Sequence, residues 1–325
     1  MRSPEAARAI PELVAGGALT PARAAPLLAA ARGEIVSLRA ELRALLGLAV
    51  TLATAGAGLL VEAYREVLGP TTVAALLAAA TAICLAVLWR REPRFTWGRN
   101  ADPDWTADGL VLLAIGLAGA ELAWIEVHFT PLGAEWPLHL LAMSLLAGAL
   151  AVRFDSIPAW SLALATFAAW RGVSLAPAAA LGRALASDPG RLRFELLLIG
   201  ALFFALGRAA ERTARKAHFE PATTFLALAA AALGFASGLG ESGSWPVWTL
   251  ALAALGAGAG AWAFRRRRRA LFALASLTAY VALTRGLFAL PFAEMFGCFW
   301  FAFSTVGAIA LLVVVHRRFR DEEAP

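Results

Sequence analysis

From Leu45 onward the chain is a succession of apolar runs broken by short connections whose main charged residue is arginine. This pattern restricts the fold more than any other feature. A segment in lipid must satisfy its own backbone hydrogen bonds, which leaves helices and closed barrels. Unbroken apolar runs of roughly 17–25 residues have helical length. The chain is 60% hydrophobic and 16% charged, with a mean hydropathy of +0.69. Soluble domains carry roughly 25% charged residues, so a water-soluble core of this length would have nowhere to hide the surplus. The expected class is all-α, a polytopic transmembrane helical bundle.

About ten runs read as spans: residues 45–61, 71–89, 109–127, 136–152, 157–170, 194–206, 223–239, 247–264, 270–283 and 295–315. The fifth and sixth are short. Cytoplasmic connections of a membrane protein carry the excess of lysine and arginine. With the N-terminus inside, the outer connections hold only Arg65, Arg171, Arg183, Arg191, Arg193 and Arg285 of the 29 basic residues. Both termini are therefore expected in the cytoplasm, with the run Arg265, Arg266, Arg267, Arg268 and Arg269 as the topology anchor, touching anionic lipid. The arginines fall at the ends of apolar runs, so topology explains the basic balance and no nucleic-acid partner is expected. Four of the outer arginines crowd the fifth connection, where residues 177–186 read as a short interfacial helix. Lys216, the single lysine, reads as composition bias.

Residues 1–44 read as a cytosolic helical hairpin. Pro4 to Val14 suits one helix, Gly16-Gly17 ends it, and Thr20-Pro21 supplies an N-cap with proline in the first turn. Arg32, Glu34, Arg39, Glu41 and Arg43 run along the second helix. The hairpin either lies under the bundle or offers a docking surface. The first apolar run begins behind about forty polar and alanine-rich residues, so the first span is expected to stay as an anchor and not be cleaved.

Two stretches share a frame. Trp136-Pro137 opens a run that is followed by a polar turn at Arg153 and Asp155, a second run, and Arg171-Gly172. Trp245-Pro246 opens another, followed by the five arginines, a second run, and Arg285-Gly286. Glu195 and Glu294 then open the next run in each. The frame predicts a tandem parallel four-helix repeat, with residues 45–92 as two preceding spans, 93–217 as the first unit and 218–325 as the second. Interface preferences for Trp, Pro, Arg and Gly produce the same frame without duplication, and that alternative stays open here.

Ionisable residues inside a membrane are costly and therefore candidates for function. Glu121 is the deepest, with Glu126 near it toward the outer end; proton or cation binding and a hydrogen-bonded structural glutamate are the two readings. A second group gathers at the outer face: Arg171, Glu195, Arg285 and Glu294, with His128 and His139. Arginine and carboxylate there either pair with each other or hold an anionic group. The histidines have no tight ligand spacing, so no metal is expected. Gly256-x-x-x-Gly260 is a small-residue face for close helix approach, within the chain or in a homo-oligomer. Cys84 and Cys298 lie inside apolar runs and form no disulfide framework. No nucleotide, hydrolase or zinc-protease motif appears, so no cofactor is expected and a standard enzyme is not favoured.

The segment Leu13-x-x-Gly16, followed by Leu19-Thr20 and a helix leading into many spans, resembles the bacterial polytopic membrane proteins grouped as domain of unknown function 2157. The resemblance implies a bacterial cytoplasmic membrane and supplies no activity. The leading expectation is a transporter-like bundle binding a small solute or ion between the two repeat units near Glu121. The alternatives are an assembly or sensory protein that engages a partner through its hairpin, and an intramembrane enzyme acting on lipid.

Overall fold

Among the described residues the backbone is satisfied by helices, with no strand, as hydrocarbon demands. The computed structural model describes residues 4–32, 39–91, 95–98, 105–131, 137–171 and 189–289, and toward the C-terminus 299–300, 303–307, 309–310 and 313–315. Among these described residues six helical stretches are long and apolar enough to cross a membrane: Val67–Arg91, Thr106–His128, Pro137–Phe154, Ala217–Ala236, Trp245–Arg265 and Arg269–Leu287. They coincide with the second, third, fourth, seventh, eighth and ninth expected spans. The other four differ. The first run lies in a helix that ends only at the break near Gly69. The fifth is a helix of 14 residues, about 21 Å at 1.5 Å per residue. The sixth is the apolar middle of a 25-residue helix whose ends carry the charge. The tenth, Glu294 and residues 177–186 lie largely or wholly outside the described residues.

The chain divides into two units, Met1–Leu52 with Val313–Pro325, and Ala53–Leu312. In the first, α1 (Pro4–Ala15) and α2 (Pro21–Arg32) share a small core of Ile10, Ala24 and Ala31 with Val14, Leu19 and Leu28 around it. Gly17 closes α1 at φ 72°, and the N–H of Ala18 reaches back to Leu13 O at 2.9 Å, the pattern that satisfies the last carbonyls of a helix.

Helix α3 (Arg39–Arg91) begins in the first unit and breaks in the second at Gly69, where φ 71° and ψ 157° are open only to glycine, and Pro70 restarts it. There follow α4 (Trp105–His128), α5 (Pro137–Phe154), α6 (Ile157–Trp170), α7 (Pro189–Thr213), a 3-10 turn at Ala217–Phe219, α8 (Glu220–Ala236), α9 (Trp245–Arg265) and α10 (Arg269–Leu287). Three antiparallel pairs hold the most extensive contacts: α5 with α6, α7 with α8, and α9 with α10. Three small cores follow one another. Leu88, Val111, Ile115, Ala147, Ala151 and Ala159 join α3 to α6. Leu164, Leu196, Ile199, Phe203 and Ala227 join α6, α7 and α8. Leu228, Ala263, Leu271 and Ala275 join α8, α9 and α10. Helix α8 therefore faces both flanking pairs.

The turns of two pairs have the same backbone. Asp155 (φ 63°) and Arg267 (φ 56°) are left-handed, and the extended residues after them, Ser156 and Arg268, donate to Ala151 O at 3.1 Å and Ala263 O at 2.9 Å. Beyond the turns, Gly148 faces Ala163 and Gly260 faces Ala275, with a Cβ on either glycine 3.8 and 3.7 Å from the alanine methyl. Gly148, Asp155 and Ala163 thus map onto Gly260, Arg267 and Ala275 at one constant offset. The Trp-Pro and Arg-Gly pairs singled out in the sequence do not keep that offset.

The Gly256-x-x-x-Gly260 face is used within the chain, by α10. A Cβ on Gly256 would stand 2.6 Å from Ala279 N and 2.9 Å from its Cα, both rigid backbone atoms. Gly256→Ala is expected to lower stability by about 1–3 kcal/mol through overpacking. Gly260→Ala meets only ordinary contact and is expected to be neutral or slightly stabilising through helix propensity. Denaturant unfolding of the two purified variants in detergent distinguishes them.

Candidate functional site: an apolar groove above a buried ion-pair cluster

The turn after α5 places an acid where it is least comfortable. Asp155 sits at the negative end of a helix dipole and in a left-handed conformation. Its side chain is only 6% exposed. Two side chains resolve the conflict: the Lys216 ammonium Nζ lies 2.8 Å from Asp155 Oδ1, and the His218 ring nitrogen Nε2 lies 2.8 Å from the same oxygen. Lys216 is also left-handed (φ 50°) and buried. Its N–H donates to Trp97 O at 2.8 Å, and its ammonium lies 5.1 Å from the Phe95 ring centroid. The residue read from the sequence as composition bias is the link between three connections at this end. Its being the only lysine was the signal available.

Further pairs fix the same end. Glu220, 2% exposed at the start of α8, receives Thr224 Oγ1 at 2.8 Å and pairs with Arg268. Glu211 receives Arg266 at 2.7 Å and pairs with Arg208. Two members of the five-arginine run are thus committed to carboxylates of α7 and α8. The contacts gather Arg153, the 208–216 stretch and the 265–269 run at one end of the bundle.

Above this end, α5, α6 and α7 enclose a groove of about 540 Å³, within the roughly 300–1,000 Å³ of small-molecule sites. Leu145, Leu164, Phe167, Leu202, Phe203 and Leu206 make most of its wall, and Phe95 and Arg153 stand at the end nearer the ion pairs. The wall offers little to a polar ligand. Ser144 Oγ is committed to Ala163 O at 2.9 Å, and Trp160 Nε1 to Thr223 Oγ1 at 2.8 Å. The Arg153 guanidinium lies 5.4 Å from the Trp89 ring centroid and 5.1 Å from that of Phe154.

The residues expected at the outer face are partnered in separate groups. Arg171 makes a bidentate pair with Glu195 at 2.8 and 3.1 Å, joining α6 to α7. Arg285 donates to Leu239 O at 3.0 Å and lies 4.7 Å over the Trp245 ring. His139 is 3.2 Å from Glu126. His128 stacks on Trp124, whose Nε1 donates to Pro70 O at 2.9 Å. Glu294 lies outside the described residues. Glu121 is half-buried in α4 and has no hydrogen bond or ion pair to any described residue, and the groove does not reach it. Among the described residues no group of three His, Cys, Asp or Glu is placed to hold a metal. A network not singled out in the sequence sits in the connection before α9. Arg193 pairs with Glu241 and lies 4.0 Å over the Trp248 ring, and Glu241 also accepts from Ser244 and from Trp248 Nε1 at 3.1 Å.

No protein-family model matches the chain, nor does any curated protein or solved structure.

Two measurements test this wiring. Lys216→Met leaves Asp155 buried without its ammonium and is expected to cost about 3–5 kcal/mol. Adding Asp155→Asn should restore most of that loss, which a double-mutant cycle by denaturant unfolding reads directly. Arg193, helped by Ser244, holds the Glu241 carboxyl at about 2 against an ordinary 4.5. Its folded value is the lower one, so the stabilisation is full above about 4.5 and disappears as pH falls toward about 2. The difference in Tm between the protein and Glu241→Gln should shrink over that window.

Proposed function

We propose that the protein is a transporter-like membrane bundle that binds an amphipathic ligand, taken up sideways from the bilayer, in the groove between α5, α6 and α7. The observation that carries this reading is the groove itself: a volume of about 540 Å³ with apolar walls whose polar side chains are already bonded, and a single cation at one end. A hydrophilic solute would lose its hydration there and gain no partners in return. An amphiphile loses nothing along its tail and meets charge only at its head.

The matching α5–α6 and α9–α10 turns support an internal duplication. The Gly-turn-Ala register carries it better than the Trp-Pro and Arg-Gly pairs do, because those pairs sit where any helix leaves lipid. The collection of basic connections at one end supports a cytoplasmic location for that end and for both termini. The layout resembles the bacterial family named above, and a bacterial inner membrane is the setting that goes with it. A role for Glu121 in proton or cation binding belongs to a different place from the groove. Glutamine at that position should leave ligand binding unchanged. A second reading, partner engagement by the N-terminal unit, is favoured by Leu13 and Leu27, each about half exposed on α1 and α2.

Ala149 lines the groove from an exposed position. Ala149→Trp should fill it and weaken saturable binding of a fluorescent fatty acid to the detergent-purified protein at least tenfold. Unchanged affinity would remove the groove from the function.

A further inference from the structure

Among the described residues that line the groove, only Phe95 comes from outside α5, α6 and α7. It belongs to the stretch 95–98 ahead of α4, where no helix fixes its register. Two consecutive basic residues hold it instead. Lys216 donates its backbone N–H to Trp97 O at 2.8 Å and sets its ammonium 5.1 Å from the Phe95 ring centroid. Arg215 sets its guanidinium 5.1 Å from the Trp97 centroid, and the two rings meet edge-on at 5.0 Å. Such cation–ring contacts orient an aromatic side chain that has no helix to do so. Lys216 does not itself line the groove, and Asp155 fixes it to the turn between α5 and α6. The ring at this end is thus tied to two of the helices that wall the groove. The charges around it are paired with one another: Asp155 with Lys216 and His218, Glu211 with Arg208 and Arg266, and Glu220 with Arg268. Arg153 lies against Trp89 and Phe154. This end therefore discriminates by size and not by charge.

We propose that Phe95 is a specificity-determining residue of the groove, an end wall that limits the length of hydrocarbon chain enclosed, with Lys216 as its positioning residue. The inference rests on the reading of the groove as an amphiphile site and adds how that site measures its ligand. From Ser144 to Arg153 the groove follows nine residues of α5, about 14 Å at 1.5 Å per residue. That is close to half of the about 30 Å hydrocarbon core of a bilayer. Apolar walls reward each added methylene by a similar amount, so they set no limit by themselves. A chain longer than the enclosed length presses on the Phe95 ring whichever way round it lies, and overpacking then cancels the gain.

The test uses the full chain purified in detergent and measures competition of saturated fatty acids, from octanoate to octadecanoate, against the fluorescent fatty acid. Comparing variants at each chain length cancels partition into the micelle. Affinity for the unaltered protein is expected to rise with length and then stop rising. Phe95→Ala should leave the short acids unchanged and bind the longest about tenfold more tightly than the unaltered protein does, the size of a relieved overpacking penalty. Phe95 is 42% exposed, so a larger ring is tolerated, and Phe95→Trp should move the limit to shorter acids. Lys216→Met combined with Asp155→Asn removes the ammonium without leaving the carboxylate buried alone. It should move the limit in the same direction as Phe95→Ala, although neither residue lines the groove. One limiting length shared by the unaltered protein, Phe95→Ala and Phe95→Trp overturns the end-wall assignment and leaves the groove standing, as does affinity that climbs through the whole series in the unaltered protein. A limit moved by the Phe95 variants and untouched by the double variant removes Lys216 from the positioning role. Binding undiminished in Ala149→Trp overturns the groove reading itself. If Phe95→Ala folds poorly, Phe95→Trp reads the limit on its own.

Discussion

Lipid tails are as apolar as the helices they surround, so apolar contact gives these helices little reason to prefer one another over the bilayer. Association has to come from close backbone approach and from polar groups that find no other partner. Both devices converge on α8, which faces α6 and α7 on one side and α9 and α10 on the other. Its stretch Ala217–Ala236 is the most buried of the six apolar helices, at 44%. Small residues let it in: a Cβ on Gly200 of α7 would stand 3.1 Å from Ala227 O and from Ala231 N, and one on Gly234 of α8 would press on Leu197.

Polar pairs hold the ends of the same helix. Glu220 at its start is buried against Arg268 from the turn between α9 and α10, and the residues just before it tie Lys216 and His218 to Asp155 in the turn between α5 and α6. The two similar turns are thus both anchored to the entry of α8, by opposite arrangements of charge. In one the turn supplies the acid and in the other the base. Two left-handed residues, Asp155 and Lys216, each carry a backbone cost of about 1–2 kcal/mol, and the ion pair between them is what keeps both in place. At the far end the pairs are more exposed, with Arg171 on Glu195 and Arg193 on Glu241, and serve to close α6 on α7 and α7 on the connection before α9.

The groove is a consequence of this arrangement. Helix α6 has 14 residues and α7 has 25, and Gly148 and Ala149 offer no bulk where α5 passes α6. The short helix and the small side chains leave a volume that the longer neighbours cannot cover, with exposed Leu145, Leu202 and Leu206 around it. The basic end lies below because the connections that carry arginine are also those that meet at α8. A site with an apolar wall and a single cation at its mouth follows from packing and topology together, with no motif of its own.

The sequence by itself determined the helical class and the positions of six apolar helices long enough to cross a membrane, because these depend on composition and length along one segment at a time. It also marked Gly256 as a place of close approach. It misjudged Lys216, grouped the outer arginines with histidines that have other partners, and was silent on Glu241 and on the groove. Those features depend on residues distant in the chain meeting across helices: Asp155 with Lys216, Arg193 with Glu241, Arg153 with Trp89. The helix register that turns Arg266 and Arg268 toward Glu211 and Glu220 is set by a turn of a few residues. Only the tertiary structure decides which of five identical side chains reaches Glu211 and which reaches Glu220.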